Sequence, residues 1–198
     1  LEEDDFPTTA RRIFDSCCQL TGATSGYVAL LTENGQENEV LFLESGGRTC
    51  TVDPSLPMPI RGLRAESYRT GEAMFDNDFK NSRWLRFMPP GHVTLDNVMF
   101  APLNVSSRTV GIMGMANKDG DFTAEDARIA SAFGELASIA LKNSLTREAL
   151  LRSTQMLDAT GRLARVGGWE IDARTNKVIW TGVTRLIHDA EPDYEPTV

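Results

Sequence analysis

The segment LDNVMFAPLNVSSRTVGIMGMANKDGDFTAED, residues 95–126, constrains the fold more than any other part of the chain. Two apolar runs, Val98 to Val105 and Thr109 to Ala116, are joined by the polar Ser106-Ser107-Arg108, the pattern of an antiparallel β-hairpin. Alternation puts Val98, Phe100 and Pro102 on one face and Met99, Ala101 and Leu103 on the other. Both sets are apolar, so both faces of this hairpin are expected to be covered. Gly111 and Gly114 inside the second run predict a close approach by a helix or a ligand. Asn117-Lys118 ends the run, and after a Gly-containing turn Phe122-Thr123 opens a long helical pattern. Thr123 suits an N-cap, with Asp126 three residues on in the manner of a capping box, and Glu125 and Asp126 suit the positive end of the helix dipole.

The residues before this segment read as alternating short elements. A helix begins at Pro7-Thr8 with Ala10, Ile13, Phe14, Cys17 and Leu20 on one face, and Cys17 is read there as a core residue. Tyr27 to Leu31 is an apolar strand, Asn34-Gly35 signals a hairpin turn, and Val40 to Leu43 is the returning strand. Residues 46–59 are turn-rich, with Pro54, Pro57 and Pro59, and Met58 to Ile60 reads as a short edge strand. Gly62 to Thr70 reads as a short helix closed by Gly71. Ala73 to Phe75 is a short strand, and Asp76-Asn77-Asp78 breaks it. Residues 79–96 are irregular but dense in apolar side chains, among them Trp84, Leu85, Phe87 and Met88.

In that order the hairpin, its Pro102-Leu103, Gly111, Asn117-Lys118, then Phe122 and Asp126 resemble the closing motif of a GAF domain. The resemblance runs over residues 8–145. It implies an α+β fold with an antiparallel sheet of about six strands, helices packed on one face and a pocket on the other. It also implies that Asn117, Lys118, Phe122 and Asp126 are structural, Lys118 and Asp126 forming a salt bridge that ties strand to helix. The irregular stretch would then form the lid of a ligand pocket, with Phe75, Trp84, Phe87, Met88, His92, Phe100 and Met113 as candidate lining residues. Cyclic-nucleotide-binding members complete the motif with a Glu where this chain has Ala127. Some members bind haem through His or Cys, for which His92 or Cys50 would serve. The members that reduce free methionine sulfoxide use a cysteine set that Cys17, Cys18 and Cys50 do not reproduce in spacing. The Cys-His pairing of covalent bilin sensors is absent too, since Gly91 precedes His92.

After Thr123 the positions Ile129, Phe133, Leu136, Ala137 and Ala140 form an amphipathic face. From Leu145 the spacing tightens to Leu145, Ala149, Arg152, Met156, Ala159 and Leu163, a heptad seam broken once by Arg152. A continuous helix of about 40 residues would span roughly 60 Å, more than one small domain needs. The expectation is a parallel homodimer through the 123–163 helix, with a helix folded back on its own domain as the other reading. Beyond it, Gly168, Trp169, Asp172, Trp180, Ile187 and Pro192 resemble the start of a PAS domain, with Asn176 at a turn position usually held by Gly. A whole PAS domain needs about 100 residues, so Trp169, Ile171, Ile179 and Trp180 are expected to be disordered or packed on a partner chain. The organisation is thus residues 1–145 as the GAF sensory domain, 146–165 as a coiled-coil-like connector helix, and 166–198 as the N-terminal fragment of a PAS domain.

Composition narrows the function. The net charge is −8 and Arg11-Arg12 is the one adjacent basic pair, which argues against nucleic acid. No apolar run of membrane-spanning length occurs, and the N-terminus is no signal peptide. The first residue is Leu rather than Met, which reads as a piece of a longer protein. Three cysteines without a framework spacing suit a reducing cytoplasm. No nucleophile with a base, paired carboxylates, metal cluster or Gly-rich phosphate loop is evident, so no catalytic residue is assigned and no cofactor is required. The GAF–helix–PAS order resembles that of prokaryotic two-component sensors. It implies the sensory input module of a sensor histidine kinase, taking a small ligand or sensing redox, with downstream PAS and kinase domains on the same chain. A ligand-free dimerisation and relay module and a haem-based redox sensor are the alternatives.

Overall fold

Helix α1 (Phe6–Thr21) begins where Asp5 caps it, the carboxylate accepting the Thr8 N–H at 3.0 Å. It ends at Gly22, left-handed at φ 78°, whose N–H reaches the Cys18 carbonyl at 2.8 Å. Its buried positions are Phe6, Ala10, Phe14, Cys17 and Thr21. The face expected from sequence included Leu20, which is instead 64% exposed. The sheet takes positions 10, 14, 17 and 21, and Leu20 falls on the flank of that stripe. These details come from a computed structural model that describes residues 5–53, 55–191 and 194–197. Residues 1–4, together with Pro54 and Pro192 of the turn and motif readings, lie outside the described residues.

Six strands follow: β1 (Ser25–Leu31), β2 (Glu37–Glu44), β3 (Met58–Pro59), β4 (Met74–Asp76), β5 (Val98–Val105) and β6 (Arg108–Ala116). They form one antiparallel sheet in the order β3-β2-β1-β6-β5-β4. Met58–Pro59 lies at its edge, where a strand tolerates proline. The β5–β6 connection is tighter than the three polar residues suggest. Arg108 already pairs with Val105, leaving a two-residue turn in which Ser106 and Ser107 both have positive φ. Helix α2 (Leu63–Thr70) lies between β3 and β4 in the chain and ends at the left-handed Gly71. Residues 79–96 are held by two 3-10 turns, Phe79–Asn81 and Leu85–Phe87.

Register assigns the two faces. Met99 pairs with Met115, and Ala101 and Val28 both pair with Met113. With Leu103 these side chains pack against Phe14, Cys17, Ala130 and Ala137. The opposite parity carries Val98, Phe100 and Ala116, which pack with Phe79, Trp84, Met88 and Leu95. Both faces of the hairpin are therefore covered, one by helices and the other by the irregular segment.

Helix α3 (Ala124–Ala164) presents a different stripe from the one read in the sequence. Asp126, Ala130, Gly134, Ala137, Ser138 and Leu141 are buried, while Leu136 is 52% exposed. Small residues win because α3 comes against the strand backbone: a Cβ on Gly134 would stand 2.6 Å from the Pro102 carbonyl oxygen. Gly114 has a different cause from the one expected. A Cβ there would meet the Tyr27 ring at 2.7 Å and the Phe100 ring at 3.1 Å, so the missing side chain makes room for two aromatics of the sheet itself.

Between β6 and α3 the chain turns through Asn117 to Thr123 and is stapled there. Asn117 adopts φ 57°; its amide oxygen accepts the Asp96 N–H at 2.9 Å, and its NH2 donates to the Ser25 hydroxyl at 3.1 Å. Asn97 accepts the Lys118 N–H at 2.9 Å and donates to the Gly120 carbonyl at 2.7 Å. Asn77 bonds both the N–H and the carbonyl of Phe122, at 2.8 and 2.9 Å. Asp126 closes the group, accepting from Lys118 Nζ at 2.6 Å and from the Thr123 N–H at 2.7 Å, while its own N–H donates to Thr123 Oγ1 at 3.2 Å. That reciprocal pair is a capping box with Asp in the acidic position. Burial pushes the Asp126 carboxyl up, but the Lys118 ammonium and the Thr123 donors outweigh it and hold the group below its ordinary 3.8.

The chain divides into two compact units, Leu1–Ser144 and Leu145–Val198. In the second, the last turns of α3 are followed by the antiparallel hairpin of β7 (Trp169–Asp172) and β8 (Lys177–Trp180), then α4 (Gly182–Ile187). Asn176 stands at φ 56°, a conformation Asn tolerates in place of Gly. Val178, Val183 and Thr184 are buried, and the Trp180 ring lies 4.9 Å from His188 and 5.5 Å from Tyr194. Trp180 is thus covered within its own unit, against expectation, whereas Trp169 is 66% exposed and Ile171 and Ile179 are also exposed. Among the described residues no helix is long and apolar enough to cross a membrane.

Two stability measurements follow from this geometry. Asp126→Asn, which keeps the shape and loses the charge, should cost about 2 kcal/mol in chemical denaturation. Because folding depresses this pKa, its contribution is present above the unfolded value near 3.8 and lost as pH falls below it. The variant should therefore show a shallower loss of stability below about pH 4 than the parent. Gly134→Ala should destabilise even though Ala is favoured over Gly in a helix by about 1 kcal/mol; an unchanged or higher melting temperature would contradict the close approach to Pro102.

Candidate functional site

The face of the sheet away from α1 and α3 holds a cavity of about 650 Å³. Its floor is built from strand residues of pocket-side parity: Tyr27, Val40, Leu43, Val98 and Phe100, with Gly114 beneath the rings of Tyr27 and Phe100. One wall is α2, which contributes Leu63 and Arg64. The roof is the irregular segment, with Trp84, Phe87, Met88 and His92. Trp84 and Phe87 stack with ring centroids 6.4 Å apart, an offset pairing that rigidifies a stretch with little regular backbone structure. The rim is the turn-rich segment, including Cys50, Val52 and Leu56.

Two tethers hold rim and roof together, and a third bond seats the α2 wall. Arg48 donates to the Asp96 carboxylate through both terminal nitrogens at 3.1 Å, and to the Thr94 carbonyl at 2.9 Å. The Thr51 N–H donates to the Gly91 carbonyl at 3.0 Å. Gly91 permits this approach, since a Cβ on it would overlap the Thr51 hydroxyl. The Ser67 hydroxyl, fully buried on α2, bonds the carbonyls of Glu72 and Phe100 at 2.7 and 3.3 Å and seats the helix on β5.

Of the seven lining residues expected from sequence, five stand on the cavity: Trp84, Phe87, Met88, His92 and Phe100. Two do not. Met113 pairs with Ala101 and Val28 and is fully buried on the helix side. Phe75 pairs with Met99, which gives it the same helix-side parity, and it is 38% exposed. The physical reason is parity: a strand residue reaches the cavity only if it shares the face of Phe100. Two polar residues at the cavity, Tyr27 and Arg64, carried no signal in the sequence. Tyr27 reads as one more strand residue and Arg64 as a solvated position on a short helix.

The cavity is mostly apolar, and its polar groups are few. His92 Nδ1 lies 2.8 Å from the Val93 carbonyl, which only accepts, so Nδ1 carries the proton and Nε2 the lone pair in the neutral ring. Glu44 is paired with Arg11 at 3.0 Å, and Asp53 accepts from the N–H and hydroxyl of Ser55, which hold its carboxyl below the ordinary range. The sheet separates Cys50 from the adjacent Cys17 and Cys18 of α1. Cys17 is buried 3.5 Å from the Met115 sulfur on the helix side, and Cys50 is exposed at the cavity rim. Burial pushes the Cys17 and Cys18 thiols up to about 12, leaving both protonated at neutral pH and poor nucleophiles. Among the described residues no group of three His, Cys, Asp or Glu side chains is placed to hold a metal ion.

The architecture has many relatives among solved structures. A GAF domain from a phosphoenolpyruvate-protein phosphotransferase of Coxiella burnetii superposes with a TM-score of 0.62 at 10% identity, covering 75% of this chain and 89% of that one. Residues 122 to 287 of a methyl-accepting chemotaxis protein give 0.61 at 13% identity, over 73% and 93% of the two chains. A free methionine-R-sulfoxide reductase of Neisseria meningitidis, solved with its substrate, gives 0.57 at 15% identity, over 74% and 83%. At these identities the likeness is one of fold. No curated protein matches the chain. A family model for the GAF domain, however, matches residues 3–142, the part of the chain that forms the six-stranded sheet, its helices and the cavity. The chain belongs to the GAF domain family.

Proposed function

We propose that this chain is the sensory input part of a cytoplasmic prokaryotic two-component signalling protein, a sensor histidine kinase, and is itself not an enzyme. GAF domains are sensory and regulatory modules. The observation that carries the reading further is the placement of the cavity relative to α3. Gly114, Met115 and Ala116 of β6 border the cavity, and the next residue, Asn117, opens the stapled turn that caps α3. A small ligand on the cavity floor would therefore bear on the hydrogen-bonded turn that leads into the long helix. A ligand with different affinity for two settings of that turn would shift their populations.

The output side of the proposal is a parallel homodimer through the 123–163 helix, followed by the start of a PAS domain at 166–198 and by PAS and kinase domains further along the chain. Support for the seam comes from its exposure within a single chain: Leu145 is 53%, Met156 71% and Leu163 90% exposed. Neither nucleic acid nor a membrane is part of the proposal. The reading as a thiol enzyme is disfavoured by the separation of Cys17 from Cys50 on opposite faces of the sheet.

Native mass and absorbance of the freshly purified protein test this reading. A dimer mass is expected, and Leu145→Asp combined with Met156→Asp should reduce it to a monomer while the melting of the GAF unit stays unchanged. A monomer at high concentration in the parent chain would overturn the dimer. A Soret band would replace the diffusible ligand by haem and direct attention to His92 and Cys50.

A further inference from the structure

We infer that the cavity takes an organic carboxylate with an apolar body, its carboxylate seated on Arg64 and the Tyr27 hydroxyl. The inference deepens the small-ligand reading above and rests on it. Arg64 projects from the first turn of α2 into a cavity whose remaining walls are largely aromatic and aliphatic. No carboxylate among the described residues forms an ion pair with it. Its Nη1 donates to the Tyr27 hydroxyl at 3.2 Å, and its buried Nε has no acceptor. A guanidinium held this way is costly, because a buried donor without an acceptor forfeits its hydration for nothing. Natural sites tolerate that cost where the group recognises a ligand, and a guanidinium fork matches a carboxylate.

The neighbouring polar groups agree in sign. Tyr27 accepts from Arg64, which leaves its own O–H to donate toward the same place. The two acids on the cavity, Glu44 and Asp53, are already occupied by Arg11 and Ser55 and do not reach Arg64 as ion-pair partners. Arg64 and the Tyr27 hydroxyl thus bring positive charge and a hydrogen-bond donor together on a largely apolar cavity that Arg61 also borders. A neutral apolar ligand would leave the Arg64 Nε and the Tyr27 hydroxyl unmet, whereas Arg61, also on the cavity, lies over the Phe87 ring.

The test compares matched pairs on the whole chain by titration calorimetry: 3-phenylpropionate against 3-phenylpropanamide, and octanoate against octanamide. Each acid is expected to bind about tenfold or more tightly than its amide, the difference that one charge-assisted hydrogen-bonded pair supplies. Arg64→Gln should abolish that preference while leaving amide binding in place, and Tyr27→Phe should reduce it. If either variant fails to fold, the comparison of acid and amide on the parent chain still decides. Equal binding of acids and amides would overturn the carboxylate assignment and leave the small-ligand reading intact. Absence of binding by all four compounds at millimolar concentration would overturn both.

Discussion

The stapled turn from Asn117 to Asp126 is the interaction on which the rest of the GAF unit depends. Three asparagines, 77, 97 and 117, satisfy backbone groups of the chain between Asp96 and Phe122, and the Asp126 carboxylate gathers the Lys118 ammonium and the Thr123 donors. Nearly all these groups are buried or half-buried, so each bond removed would strand a partner away from water. The turn joins the central strand β6 to α3 and joins both to β4 and β5 through Asn77 and Asn97. It settles the angle at which α3 leaves the sheet, and that angle decides which helix residues meet the strands.

From that connection the two faces of the sheet take different characters. On the helix side the contact is backbone-close, which explains why Ala130, Gly134, Ala137 and Ser138 rather than larger apolar residues are buried in α3. Larger side chains from β5 and β6, Met99, Leu103, Met113 and Met115, fill the space between. On the other side no long helix lies across the strands. Short α2 and the 79–96 segment stand off from the floor, supported by the Trp84–Phe87 stack and by the Arg48 and Thr51 tethers. The cavity is the result of that stand-off. One face has a packed core and the other a partly open cavity, and the same strands serve both.

Position relative to the turn gives the cavity its significance. The cavity is bordered by the end of β6 from which the capped turn into α3 starts, whereas β2 and β3 lie at one edge of the sheet. The polar equipment is equally placed: Arg64 and Tyr27 stand where floor and α2 wall meet, and the carboxylates nearby are neutralised by their own partners. Cys50 lies across the sheet from Cys17 and Cys18, whose thiols burial keeps protonated.

Local sequence determined much of this protein. The period-two alternation of residues 98–116 specified a hairpin buried on both faces, Gly71 and Thr123 marked helix ends, and Asn117, Lys118, Phe122 and Asp126 carried the family signature. These signals are short-range, since alternation, caps and turns depend on neighbours within a few residues. Tertiary structure alone decided which way each element faced. Leu20 and Leu136 lost their expected burial because helix rotation is set by the sheet rather than by the helix's own apolar count. Phe75 and Met113 fell on the core side because cavity and core differ only by strand parity, which register across β4, β5 and β6 assigns. Arg64 met Tyr27 across 37 positions of sequence, and Asn77 met Phe122 across 45; pairings at such separations arise only when packing brings distant segments together.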